Sequence, residues 1–203
     1  MTIHLHQGDL PDGLDFGDAV AVDSETMGLD ARRDRLCLVQ LSAGDGVCHL
    51  VQFAKDRYVA PNLCALLTDA AVTKLFHFAR FDLMMFKRHL GIGVTPVFCT
   101  KIASKLVRTS TSRHGLKDLC RDLLGVELSK QQQTSDWGVE ALSREQLSYA
   151  ASDVLHLHAL RERLEILLAR EGRSDLAQGC FAALNTRAEL DLLGWDDPDI
   201  FSH

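Results

Sequence analysis

The chain has 203 residues, 46% of them apolar and 25% charged, with 14 Gly and only 4 Pro. That composition fits one compact domain over residues 1–203 and excludes two full domains or a disordered chain. The 22 Lys and Arg against 28 Asp and Glu leave a net charge of −6, which argues against gripping long nucleic acid by neutralising its phosphates. An acidic protein still acts on phosphates when metal ions supply the positive charge.

The stretch Met1 to Leu10 has no basic region followed by a long apolar run, so it does not read as a secretory signal. No segment approaches the roughly 20 apolar residues that span a bilayer. The six cysteines are scattered without a C-x-x-C pair, several of them inside apolar runs such as Leu36-Cys-Leu-Val39. They read as reduced thiols of a cytoplasmic protein.

Ala19-Val-Ala-Val22 leading into Asp23 reads as a strand, followed by strands at Leu36–Leu41 and Val47–Val51. The short Gly-, Asp- and Arg-rich connections between them predict an antiparallel meander. Pro61 sits at a helix start and Asn62 to Leu67 supplies one or two turns. Val72–Phe76 is strand-like, a helix follows from about Phe81 to His89, and Val97–Thr100 is a fifth strand that runs into a helix. From Leu116 onward the pattern is helical. Ser143-Arg-Glu-Gln146 has the form of a capping box, and apolar residues at helical spacing from Leu147 to Leu160 predict one long helix ending near Gly172. A last helix is expected over Asp175 to Leu193. Three strands, then alternating helix and strand, then helices predict an α/β fold: a mixed five-stranded sheet flanked by helices. The core spans about 18–165, and a C-terminal helical extension and tail follow over about 174–203.

Asp23 and Glu25 stand two apart at a strand end, so their side chains leave the same face, at the end where open α/β sheets place ligands. Two such carboxylates repel, and in a dry site one takes up a proton unless a divalent cation relieves them. Hard oxygen donors suit Mg²⁺ and Mn²⁺. Asp82 lies in the first turn of the helix after the strand ending at Phe76, and Tyr149 and Asp153 share one face of the long helix. Each feature alone reads more simply: solvated acids, a charge on a helix dipole, a half-buried Tyr beside a surface acid. The ordered set of four carboxylates and a phenol is what points to chemistry.

That order, D-x-E, then F-D, then Y-x-x-x-D, resembles the tyrosine-type DEDD 3′→5′ exonucleases, whose fold is RNase H-like. Arg35–Ser42, Ser129–Trp137 and Glu145–Val154 are similar to the RNase D group, and the resemblance covers about residues 18–165. His114-Gly-Leu-Lys-Asp-Leu-Cys120, Thr186–Leu192 and Gly194-Trp195 resemble its nano-RNase C branch, stand-alone enzymes that finish RNA decay on very short oligoribonucleotides. The short run after Asp153 leads us to expect no additional helical RNA-binding domain. One departure is Phe78, where many relatives carry Asn after the His of the second motif. A substrate hydrogen bond is lost there, and Phe78 is expected to pack in the core.

The resemblance implies that Asp23, Glu25, Asp82 and Asp153 hold two Mg²⁺ or Mn²⁺ ions, with Asp23 bridging them, and that the Tyr149 hydroxyl orients the attacking water. It implies a substrate of short single-stranded RNA, dinucleotides included and DNA not excluded, degraded from the 3′ end to nucleoside 5′-monophosphates. Leu29 matches a leucine that relatives wedge between the last two bases, although it reads also as packing at a hairpin base. Gly28 lets the backbone turn there, and the Thr26 and Met27 amides are placed to grip the terminal 3′-hydroxyl. His77 and Arg80 stand near enough to Asp82 to contact a phosphate, with a structural His77 equally open. Lys130, Gln133 and Ser135 are candidate contacts to the substrate's 5′ end, or else a solvated loop beside a packing Trp137; Arg113 and His114 carry the same ambiguity. The resemblance further implies an octameric ring. The residues themselves say only that Trp195, Ile200 and Phe201 on a polar tail suggest burial against a partner or the body. Two other functions stay open: trimming the 3′ ends of longer RNA or DNA, and a non-catalytic nucleic-acid-binding scaffold.

Overall fold

Strands β2 (Ala19–Thr26) and β3 (Leu36–Ser42) are apolar on both faces, β3 being buried at every position, as strands covered by helices on both sides must be. The computed structural model describes residues 1–128, 135–195, 197 and 200. In it these strands occupy the middle of a mixed sheet of order β1-β4-β3-β2-β5-β6. The other strands are β1 (Thr2–Gln7), β4 (Val47–Gln52), β5 (Thr73–Phe76) and β6 (Val97–Cys99). β2, β3 and β4 form the expected antiparallel meander, whereas β5 and β6 continue the sheet parallel to β2.

The sheet has six strands, not five. β1 adds to the edge, parallel to β4 with Thr2 opposite Val47 and Gln7 opposite Gln52. Its ladder partner lies some 45 residues downstream, so no hairpin signal announces it, and its side chains are mostly exposed. Backbone pairing, a Gln7–Gln52 amide bond of 3.0 Å and contacts between histidines hold it.

The helices are α1 (Pro61–Thr68), α2 (Ala79–Leu90), α3 (Thr100–Val107), α4 (Leu116–Leu119), α5 (Arg144–Val154), α6 (Leu157–Arg170), α7 (Ser174–Ala182) and α8 (Leu184–Leu192). Beyond α4 the chain makes only a π-helical turn over Cys120–Leu124 before leaving helical structure, so the region after Leu116 is less helical than its pattern suggests. Ser143 and Gln146 do form the capping box of α5, each backbone N–H donating to the other's side chain (2.9 and 3.2 Å). The single long helix expected from there is two: the chain breaks at Leu155 and His156. α5 lies against β2, β3 and β4 while α6 turns to pack on α3, β2 and β5; one straight axis cannot serve both surfaces. The last helix is likewise two, meeting at Ala183. α7 brings Phe181 onto Phe98 of β6, with ring centroids 4.9 Å apart, and α8 packs along α2. One continuous apolar cluster joins the sheet to these helices.

Candidate active site

β2 carries Asp23 and Glu25 to the end of the sheet, where its pairing with β3 shifts register between Glu25 and Thr26. Such bulges re-aim side chains. α5 delivers Asp153 to the same place: carboxylate oxygens of Asp23, Glu25 and Asp153 lie within 4.8 Å of one another. Ser24, alternating to the other face of the strand, donates its hydroxyl to Asp82 of α2 at 2.5 Å. α5 and α2 thus bring one carboxylate each to the end of the same strand, and Asp82 is 3% exposed.

The electrostatics show how uncomfortable this is. Burial, then the charges of Asp82, Asp153 and Glu25 in that order, raise the Asp23 carboxyl well above the carboxylate range. Burial and the charges of Asp153 and Asp82 push Glu25 to about 9. Burial alone takes Asp82 to about 7 against the Ser24 hydrogen bond, and Asp153 to about 7 against one from Tyr149. The Tyr149 hydroxyl is itself raised by burial and by Asp153, Glu25 and Asp23, so it stays a phenol. All the donors are hard oxygens, and a divalent cation is what allows them to ionise together; the donor set fits Mg²⁺ or Mn²⁺. Asp23 interacts with all three other carboxylates and is the hub of the set.

Two clefts, of about 560 and 370 Å³, open over these groups and share Asp23, Ser24, Leu29, His77, Phe78 and Phe81 in their walls. One reaches Asp82 and the α8 end, the other Glu25, Tyr149 and Asp153. Leu29 is 88% exposed over them, so it does not pack at a hairpin base. Burial, then Lys101, hold His77 down at about 3; its ring is neutral and its Nδ1 lies 2.9 Å from the Thr100 hydroxyl.

Several expectations need correction. Phe78 is not in the core: it is 45% exposed and adopts a left-handed backbone (φ 70°) at the start of α2. α2 therefore begins at Ala79, two residues before the apolar pattern predicts. Gly28 has no left-handed φ. It is small because a Cβ there would lie 2.3 Å from an Asp34 carboxylate oxygen. The Met27 amide already donates to the Arg35 carbonyl at 3.1 Å and is not placed to grip a 3′-hydroxyl. Thr26 lines the second cleft, with its hydroxyl donating to Gly28 O. Arg80 does line the first cleft with Asp82, and there it is paired with Asp191 of α8, donating through Nε and Nη2 at 2.5 and 2.7 Å. Burial pushes Asp191 up, but Arg80 and Arg187 outweigh it and hold the carboxyl low; Arg80's charge is thereby answered within the fold.

Arg113 lies on a separate surface beside Arg108 and Arg121. His114 contacts the Ser104 hydroxyl at 2.9 Å just before the Gly115–Lys117 wall of the second cleft. Ser135 is half-buried and lines neither cleft, and Lys130 and Gln133 lie outside the described residues. Trp137 packs as expected, 3% exposed and 6.1 Å from the Tyr149 ring. Ser24, Lys101 and Lys117 escaped the sequence reading. Ser24 was readable as the residue between two acids on a strand; the two lysines reach the cleft only through the placement of α3 and α4.

A model of the 3′-5′ exonuclease family matches residues 10–169. The chain is 37% identical over 156 residues to ribonuclease D of Acidiphilium cryptum, covering 77% of this chain and 39% of that one; it spans about two-fifths of the length of such relatives. Brucella melitensis NrnC bound to pGG superposes with a TM-score of 0.97 at 54% identity, covering 100% of this chain and 99% of that one. The same protein with bound Mg²⁺ gives 0.96 at 53%, covering 100% of both. No helix among the described residues is long and apolar enough to cross a membrane. With its carboxylates gathered on an RNase H-like sheet and these matches across its length, the chain belongs to the DEDD 3′→5′ exonuclease family, RNase D group.

Proposed function

We propose that the chain is an exoribonuclease that degrades short oligoribonucleotides, dinucleotides included, from the 3′ end to nucleoside 5′-monophosphates. Asp23, Glu25, Asp82 and Asp153 would hold two divalent cations. The observation that carries this is the gathering of Asp23, Glu25 and Asp153 within 4.8 Å of one another, with Asp82 close enough to raise Asp23, every carboxyl of the four being raised by burial and Asp23 and Glu25 also by their neighbours' charge. The similar Brucella protein with Mg²⁺ and with the pGG dinucleotide supports the ion and the substrate length. When bound, the cations supply the charge that lets the carboxylates ionise and the Lewis acidity that activates water and stabilises the leaving 3′-oxygen.

The protein's own groups do the rest. Asp23, reached by both flanking helices, fixes the centre of the site. Tyr149, kept protonated by its acidic neighbours with its O–H bonded to Asp153, offers a lone pair to orient the attacking water and is no base. Leu29 stands exposed over the clefts and wedges between bases, which separates them without reading them. Neutral His77 contributes hydrogen bonding, not charge. A substrate of two or three nucleotides brings few phosphates, so the net charge of −6 is no obstacle.

The test is initial rates with Mg²⁺ on a two-nucleotide RNA, a 20-nucleotide RNA and a DNA duplex. The dinucleotide is expected to be cut fastest. Equal or faster cutting of the long substrates would assign the chain to 3′-end trimming instead, and metal-independent binding without release of mononucleotide would make it a scaffold. Exposed Leu193, Trp195 and Ile200 on the tail support self-association, for which the family resemblance suggests an octameric ring; Phe201 lies outside the described residues. Trp195→Ala is expected to lower the mass measured by light scattering.

A further inference from the structure

Phe78 is held in a conformation that a bulky side chain rarely adopts. A bulky residue at φ 70° occupies a region that disfavours every L side chain, and Gly or Asn would enter it more easily. The side chain then stays 45% exposed, so the strain is not repaid by burial in the core. The ring instead stands in the wall common to both clefts, with Leu29 and Asp23, and the Lys101 ammonium sits over it, 3.8 Å from the centroid. Lys101 lines the second cleft as well. The cation steadies the ring and, with Lys117 in the same cleft, places positive charge beside the carboxylates.

We propose that Phe78 is a stacking platform for one base of a short single-stranded substrate whose scissile phosphate lies over Asp23, and that Lys101 accompanies it as the partner of a substrate phosphate. Stacking on an aromatic ring is open to every base, because each has a π-face. With Leu29 exposed over the same clefts, two apolar side chains engage bases while the carboxylates engage the phosphate. Such a clamp admits unpaired bases and rejects a duplex end, whose bases are already stacked. The inference rests on the exonuclease reading above and adds the residues that select an unpaired base.

The deciding variant is Phe78→Gly, which removes the ring while keeping the left-handed backbone at no steric cost. Phe78→Trp restores a larger ring. Each is assayed with Mg²⁺ on a two-nucleotide RNA and on the same molecule with either base replaced by an abasic residue, and melting temperature is followed in parallel. Phe78→Gly is expected to raise KM for the intact dinucleotide by about 10-fold or more, with a smaller change in the saturating single-turnover rate. Phe78→Trp should stay near the parent. On one of the two abasic substrates, Phe78→Gly and the parent should be indistinguishable. Lys101→Met should raise KM and flatten its salt dependence. An unchanged KM in Phe78→Gly, or an equal loss on intact and both abasic substrates, overturns the platform. If the parent itself releases no nucleotide from any RNA with Mg²⁺, it is the exonuclease reading that falls.

Discussion

At the free edge of the sheet His4, His6 and His49 stack with ring centroids 5.2 to 6.4 Å apart, while at the end of β2 the carboxyls of Glu25, Asp82 and Asp153 act on that of Asp23. Both places gather like titratable groups, and the neutral form is favoured for His6 and His49 at the one and for the four carboxyls at the other. The imidazoles achieve this by themselves. His6 Nε2 lies 3.0 Å from His49 Nδ1, a contact that needs one bare nitrogen. Burial first, then neighbouring histidines, hold both rings below the usual histidine value. The carboxyls remain neutral only by holding protons at a pH where carboxylates ordinarily have none. A neutral imidazole stack needs no further partner, whereas a cluster of hard oxygen donors is one that a divalent cation would let ionise.

The largest effect that would break this contrast is on turnover. If the carboxylates hold the proposed cations, Asp153→Asn removes one of the charges that bind them, and single-turnover cleavage is expected to fall by about 10³-fold or more; near-normal rates would mean that the cluster is not the reaction centre. Tyr149→Phe is expected to slow the chemical step by about 10- to 100-fold with Mg²⁺ affinity unchanged in a titration calorimeter, since the phenol stays protonated and serves the water.

Stability should respond next, and with opposite signs at the two places. The carboxyl pKa values are raised on folding, so the folded chain without cations binds more protons than the unfolded one. Its stability is full below the ordinary carboxylate range and is lost as pH rises through about 7 for Asp82 and Asp153 and about 9 for Glu25. The melting temperature in chelator should therefore be lower at pH 8 than at pH 5, and Mg²⁺ should restore it mainly at pH 8. A chelator melt that does not change between these pH values would remove the electrostatic case for the ion site.

The smallest effect belongs to the histidines. Their pKa values are lowered on folding, so the stability they contribute is present above about 6.5 and is lost as pH falls through their folded values. His6→Gln with His49→Gln should flatten that acid-side loss, a matter of about 2–4 °C, and make hydrogen exchange of the β1 amides less sensitive to pH. A double variant with the parent's acid profile would show that the stack does not govern the edge.

Much of the site was readable because period carries it. Two acids at spacing two on a strand must share a face, Tyr149 and Asp153 at spacing four must share a helix face, and Asp82 follows a strand end into a first turn. Where the reading failed, a distant partner decided. β1 needed β4 across the chain; Arg80 needed Asp191 from α8 to answer its charge; Gly28 is small because Asp34 folds back against it. Phe78 looked like a core residue because aromatic rings usually are, and only its left-handed backbone and Lys101 above it reveal otherwise.

The amino-acid order by itself determined the succession of strands from β2 to β6 and the helices between them, the faces on which acids emerge, and the set of five residues whose type and spacing suit metal-assisted phosphodiester chemistry, because strand and helix periods are local properties of the backbone. The tertiary structure alone decided that the carboxyls of Glu25, Asp82 and Asp153 act on Asp23, that α5 and α6 part at Leu155, that Arg80 pairs with Asp191 and that Phe78 stands in the cleft. Those outcomes depend on burial and on charges brought from remote elements, which no local stretch of chain contains.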